Sequence, residues 1–387
     1  MYNFDLEINR NNTNCVKWDS KPGKLPMWVA DMDFPVFDKI VEAVEKRASH
    51  PCYGYPTMPD AYFDAFVKWW EDRHHFKMEK EWLLYSIGVV ASISSIVRRV
   101  THPNENVLIM QPVYNIFCNS ISNNGRNILS SDLVYDGNDY YVDYEDLEKK
   151  LANPQTSLMI LCNPHNPVGK LWSKEELIRI GALCKKHHVL VLSDEIHCDL
   201  VKPGLEYVPF ASCNEDNLNN SITLIAPSKT FSIPGLQASC VVIKDSNLRH
   251  KINRGLNNDE VAEGNVFGAE ATIAAYAYGS RWVDELNIYL EENKESFRNF
   301  IKEHLPNLKM TPCEATYLLW VDFSYYTDDT DVLQEFLLDK MDLFLSKGSV
   351  YGADGKKFLR INIATNKKNV LECLKRIEEG LKLWEAR

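Results

Sequence analysis

LMILCNPHNPVGKLWSKEELIRIGALCKKHHVLVLSDEIH, residues 158–197, is the stretch that decides the fold. Two short apolar runs, Leu158–Cys162 and Val189–Leu192, flank a longer segment of helical character. Neither run alternates apolar with polar residues, as expected of strands buried on both faces of a parallel sheet. Between them Ser173 stands three residues before Glu176, a capping-box spacing that predicts a helix over Ser173–His187. Working outward, Val107–Met110, Ile222–Ile225 and Cys240–Ile243 are runs of the same kind, separated by further helix-like stretches. The alternation predicts an α/β fold with a large, mostly parallel sheet covered by helices on both faces. Ligands of such sheets sit beyond the carboxyl ends of the strands. Gln111-Pro112, Asn163-Pro164, Asp194 and Ser228-Lys229 all fall at ends of that kind.

The chain has 387 residues, 45% of them hydrophobic, which is material for two domains. From about residue 281 the pattern changes. An amphipathic helix over Trp282–His304 is expected, then strands Thr316–Val321 and Phe358–Ile363, then a closing helix Asn369–Trp384. We therefore expect a large domain over 46–280 and a smaller α+β domain over 281–387, with residues 1–45 packing back against the smaller one. A net charge of −11 argues against nucleic acid as the main partner, because phosphate backbones need a basic face. Ten cysteines without a CxxC pair suggest reduced, mostly buried thiols of a cytoplasmic protein. The opening residues Met1–Arg10 lack the basic and apolar regions of a secretory signal, and no apolar run nears the ~18 residues of a membrane span.

Chemistry concentrates at the predicted strand ends. Lys229, in Ser228-Lys-Thr-Phe-Ser-Ile-Pro-Gly-Leu236, follows the run Ile222–Ile225 and is flanked by small hydroxyl residues. Asp194 lies 35 residues before it, and Asn166 another 28 before that. A lysine for an aldehyde, an acid for a pyridine nitrogen and a donor for a phenolic oxygen are the set that pyridoxal 5'-phosphate (PLP) chemistry uses. Lys229 is thus the candidate Schiff-base lysine and the base for the Cα proton, although a lone lysine is usually an exposed turn residue. Asp194 would hold the ring nitrogen protonated, or else cap the segment after 195. Asn166 would donate to the phenolic oxygen, in a segment that Asn-Pro twice over marks as a turn. Tyr114 would stack on the ring face. His197 falls near the phenolic oxygen or packs in the core. For the phosphate, Gly88, Val89 and Val90 open the helix expected over Val90–Val100 and offer backbone N–H groups, with Ser228 and Tyr55 adding hydroxyls. Arg360, inside an apolar strand, has the geometry to clamp an α-carboxylate, the alternative being an internal salt bridge. His74-His75 and Cys184-x-x-His187-His188 have no second ligand pair at zinc spacing and read as helix surface or helix end.

Together these motifs resemble the fold-type I PLP enzymes of the class I/II aminotransferase superfamily over essentially the whole chain. Met27-Trp-Val-Ala-Asp-Met-Asp-Phe34, Tyr53-Gly-Tyr55, Ser193-Asp-Glu-Ile-His197 and Lys229-Thr-Phe-Ser-Ile-Pro-Gly-Leu-Gln237 look like its MalY/PatB branch of cystathionine β-lyases and cysteine-S-conjugate lyases. The resemblance implies a homodimer with shared active sites, Tyr55 serving the partner's phosphate and substrate. It also implies Tyr114 stacking and taking part in catalysis, Asn166 and Asp194 on the ring, Lys229 as the imine, and Arg360 on the substrate carboxylate. Many relatives carry an arginine eight residues after the lysine and a hydroxyl residue three before it; here those positions are Gln237 and Ala226. The implied reaction is α,β-elimination of an amino-acid thioether to a thiol, pyruvate and ammonia. An aminotransferase using the same lysine is the nearest alternative, and a PLP-fold protein that binds a regulatory partner is a more distant one.

Overall fold

The structure is a computed structural model and describes residues 2–387; Met1, first residue of the expected opening segment, lies outside the described residues. A seven-stranded sheet organises the larger part of the chain. Its strands are β1 Leu83–Ser86, β2 Asn106–Ile109, β3 Asn127–Ser130, β4 Thr156–Cys162, β5 Leu190–Asp194, β6 Ser221–Ile225 and β7 Ser239–Val242. They are ordered β1-β7-β6-β5-β4-β2-β3. The pairs from β6 through β3 are parallel, whereas β7 runs antiparallel to both of its neighbours. Consecutive residues of one strand feed opposite cores. Val107, Ile109, Leu158 and Ile160 enter one cluster, and Leu108, Met159 and Leu161 enter another. Both faces are apolar, so the sequence of these strands shows no polar alternation.

Helices cover each face. On one side α1 Asp38–Ala48 and α2 Asp60–His74 pack against a later helix, while α3 Val89–Val100 lies on the other. The helix α4 Lys174–Lys186 begins with the expected capping box between Ser173 and Glu176. The helix α5 Val266–Tyr278, which receives α1 and α2, is apolar nearly all round, as a helix buried between others must be. All ten cysteines are free, and seven are buried.

The helix α6 Ser280–His304 leads to a second, antiparallel sheet of β8 Lys309–Met310, β9 Leu318–Asp322, β10 Ser346–Lys347 and β11 Phe358–Asn362, ordered β8-β9-β11-β10. The helix α7 Thr330–Lys340 packs on it, and α8 Lys367–Glu385 closes the chain. Residues 25–33 are stitched to this region. Leu25 and Pro26 pair in parallel with Leu343 and Phe344, Asn362 donates its backbone N–H to Met27, and its side-chain amide binds the Val29 and Asp31 carbonyls. Arg10 and the buried Lys17 neutralise Asp31 and Asp33 beneath that turn. Among the described residues no helix is long and apolar enough to cross a membrane.

Candidate active site

Three adjacent parallel strands deliver three polar groups to one rim. Cys162 at the end of β4 pairs with Asp194 at the end of β5, and Asp194 pairs with Leu224 of β6. The chain leaving β4 carries Asn166, β5 ends in Asp194 itself, and the turn after β6 carries Lys229. They border a cavity of about 840 Å³ that is also lined by Arg360 of β11 and by Ser346, Lys347, Val350 and Tyr351. Asn166, Asp194 and Lys229 meet because a parallel sheet gathers its strand ends on one side, while Arg360 is brought in from the second, antiparallel sheet.

Lys229 is half-buried in this wall and donates to the carbonyl of Ala30 at 2.7 Å. Burial, and next to it the positive charge of Arg360, lower its ammonium pKa from 10.5 to about 8. Its backbone is anchored from behind. Thr230 donates to the buried Asp199 at 2.8 Å, and Asp199 also accepts from Trp69 Nε1 and lies 2.9 Å from His74 Nε2. His74, expected at a helix surface or helix end, is the last residue of α2 and is buried there, held by a carboxylate 125 residues away. The ligating atoms of His74, Cys198 and Asp199 lie within 4.8 Å of one another, but the carboxylate is already occupied by protein donors. On the other side of the lysine, Ser232 accepts from the Met32 N–H and donates to Asp31.

Asp194 is buried and accepts one backbone bond, from Ile196 N–H at 3.2 Å. Burial raises its pKa from 3.8 to about 7, the mark of a carboxylate that lacks a cationic neighbour close enough to pair with. Asn166 accepts from Arg360 at 3.2 Å, and its amide nitrogen makes no hydrogen bond among the described residues. His197 is buried with Nδ1 unpartnered; burial, then the charges of Lys229 and Arg360, push its pKa down to about 3, so the ring is neutral. Tyr114 lines the cavity, and burial lifts its phenol to about 12. Arg360 is 5% exposed. It donates to the Trp28 carbonyl at 2.8 Å and to Asn166, leaves Nε–H unpartnered, and has no carboxylate partner among the described residues. The internal salt bridge considered for it does not form.

Gly88, Val89, Val90 and Ser228 also line the cavity. Gly88 caps α3 and its carbonyl takes the first helical bond, from Ser92, so the N–H groups opening the helix are free for an anion. Gln237 lines the cavity as well. Tyr55 does not join them: it is 98% exposed, outside the cavity of its own chain. Sequence reasoning missed the Ala30 carbonyl, the Thr230–Asp199 anchor and Gln334, whose buried amide belongs to the cavity wall.

These groups fit PLP. A buried acid without a counter-cation suits a pyridinium N–H, the open Asn166 amide and the unpartnered His197 nitrogen suit a phenolic oxygen, and the start of α3 with Ser228 suits a phosphate.

The family model for aminotransferase class I and II matches residues 23–377. The chain is 41% identical over 386 residues to the cystathionine beta-lyase PatB of Bacillus subtilis (strain 168), covering 98% of this chain and 100% of that protein. Among solved structures, cystalysin from Treponema denticola, which contains a pyridoxal 5'-phosphate cofactor, superposes with a TM-score of 0.95 at 31% identity over 99% of each chain. The PLP-bound C-S lyase from Staphylococcus hominis superposes with a TM-score of 0.93 at 32% identity over 98% of each chain.

Proposed function

The chain belongs to the aminotransferase class I and II family, and we propose that within it this protein is a PLP-dependent carbon–sulfur lyase. Its substrates would be L-cystathionine or related cysteine S-conjugates, cleaved by α,β-elimination to a thiol, pyruvate and ammonia. One observation carries the reading: Lys229, Asp194 and Asn166 converge from neighbouring strand ends on a cavity that also holds the uncompensated Arg360, 3.2 Å from Asn166. Kinship with proteins named for C–S cleavage favours elimination over amino transfer.

When bound, PLP supplies an aldehyde for the substrate amine and a protonated ring that accepts the electrons freed at Cα. In our reading the residues of this chain do the rest. Arg360 clamps the substrate α-carboxylate and fixes which face of Cα meets Lys229. The Lys229 amine, with its pKa lowered to about 8, exists in part as the neutral base near neutral pH. It takes the Cα proton; the Cβ–S bond then breaks with its electron pair leaving on sulfur, and the Lys229 ammonium returns a proton to that sulfur. Hydrolysis of the remaining three-carbon enamine gives pyruvate and ammonia. Asp194 keeps the ring nitrogen protonated. Asn166 and His197 hold the phenolic oxygen, Tyr114 covers the ring, and Ser228 with the N–H groups of Gly88, Val89 and Val90 takes the phosphate.

We further propose a homodimer in which Tyr55 reaches the phosphate and substrate of the other subunit, which its full exposure in one chain permits. The division into an opening segment 1–45, a cofactor domain 46–280 and a small domain 281–387 is part of the same proposal, as is a cytoplasmic location. Incubating the purified protein with PLP and L-cystathionine tests the function: pyruvate, ammonia and homocysteine should appear in equal amounts. Formation of a 2-oxo acid only when a second 2-oxo acid is supplied, with no free thiol, would establish an aminotransferase instead.

A further inference from the structure

Three strands of the small sheet set one row of residues side by side. Trp320 of β9 pairs directly with Arg360 of β11, and Arg360 pairs directly with Ser346 of β10. Residues opposite one another in antiparallel strands point to the same face of the sheet. Tyr351, which ends a short 3₁₀ turn after β10, lies against all three members of the row. Its ring meets Trp320 edge-on, with centroids 5.4 Å apart and planes at 84°. Its hydroxyl is 2.9 Å from Ser346 Oγ. Arg360 Cζ stands over the ring face, 4.9 Å from the centroid. Trp320 is fixed in turn by stacking on Phe358, with centroids 4.9 Å apart. The Tyr351 carbonyl accepts from the N–H of Val113, the residue before Tyr114, at 3.0 Å. The side chain borders the cavity and is buried.

A buried guanidinium needs something to offset its charge. Arg360 has the oxygens of Trp28 and Asn166, and no carboxylate among the described residues. The electron-rich face of a tyrosine ring attracts a cation within about 6 Å, more strongly where water is excluded. A protein carboxylate in that place would take up the guanidinium fork and compete with a substrate carboxylate for it. A ring face steadies the cation and leaves its N–H edge open. We infer that Tyr351 is the positioning residue of the clamp: its ring holds the Arg360 guanidinium in the place where it meets the substrate α-carboxylate. Trp320 and the Ser346 hydroxyl hold the ring, and the ring holds the arginine. The inference rests on the assignment of Arg360 to the α-carboxylate and names the side chain that makes an unpaired arginine serviceable there.

The test compares L-norleucine with n-pentylamine, which is the same molecule without its α-carboxylate; neither has a sulfur to expel. Calorimetric dissociation constants are measured on the PLP-loaded wild type and on its Y351L and Y351F variants. Y351L should weaken norleucine roughly 5–30-fold, the worth of a desolvated cation–π contact, with n-pentylamine changed by less than about 3-fold. Y351F keeps the ring and should hold norleucine within about 3-fold of the wild type. Equal loss of both ligands in Y351L would reduce Tyr351 to packing around the substrate arm, and no loss of either would leave it no part in the clamp; each overturns the inference. So would a Y351F variant as impaired as Y351L, because the hydroxyl and not the ring would then matter. If leucine is not tolerated there, 3,4,5-trifluorophenylalanine at position 351 keeps the shape of phenylalanine and drains its ring face. Set against Y351F it should again weaken norleucine and spare n-pentylamine, and equal affinities would overturn the inference. A wild type that releases no thiol from any thioether yet prefers norleucine to n-pentylamine would sink the lyase reading alone, since a carboxylate clamp serves an aminotransferase equally.

Discussion

Replacing Arg360 with methionine should separate stability from function. The side chain is 5% exposed and pairs with no carboxylate among the described residues. A buried guanidinium in that state pays several kcal/mol of desolvation, recovered in part by its bonds to the Trp28 carbonyl at 2.8 Å and Asn166 at 3.2 Å. Those two bonds are worth about 1.5–3 kcal/mol each when the donor is charged. The opposing contributions are of similar size, so R360M should change unfolding free energy by no more than about 2 kcal/mol. Binding is different. A bidentate clamp on an α-carboxylate loses two charge-assisted bonds, about 3–6 kcal/mol, which is roughly 10²–10⁴-fold in kcat/KM. Urea titration of the loaded protein gives the first quantity, and steady-state release of thiol from cystathionine gives the second. R360K, which keeps the charge but not the fork, should fall between the two for activity. A variant that unfolds easily yet turns over normally when folded would refute the assignment of Arg360 to substrate.

Two further predictions concern the site and its wall. In the protein stripped of cofactor, Asp194 has its pKa raised from 3.8 to about 7. Its protonated form contributes stability fully present below about pH 4 and lost as pH rises toward 7. D194N should therefore match the wild type at pH 4 and exceed it above pH 7, by up to about 4 kcal/mol; a difference independent of pH in denaturant titrations would contradict this. Gly348 is packed so that an added Cβ would lie 2.2 Å from the backbone oxygens of Gly355 and Phe358. G348A should cost at least about 2 kcal/mol by forcing backbone apart, and an unchanged denaturation midpoint would count against the packing described for the Arg360 wall.

How much of this was legible in sequence depended on the range of the interaction concerned. The strands β4 and β5 and the capped α4 between them were readable because both signals are local: an unbroken apolar run, and Ser173 spaced three residues from Glu176. The antiparallel direction of β7 was not readable, since a strand buried on both faces has the same composition whichever way it runs. The strand β1 was overlooked because its four residues include Tyr85 and Ser86 and abut the start of α3. Lys229, Asp194 and Asn166 were found because the chemistry they would share narrows the choice of residue type. His74 does end its helix, but its burial was not readable because its partner, Asp199, is distant in sequence and nothing near residue 74 announces it. The segment 27–34 stood out in sequence only as a motif of the family branch; its role as the acceptor of the Lys229 amine runs through a backbone carbonyl, which no side-chain pattern encodes.

The most direct test of the central claim is to reduce the PLP-loaded protein with borohydride and map the modified peptide by mass spectrometry. The account predicts a single phosphopyridoxyl adduct on Lys229, abolished in K229A along with the visible absorbance band. An adduct on another lysine, or none in a protein that still releases thiol from cystathionine, would contradict it.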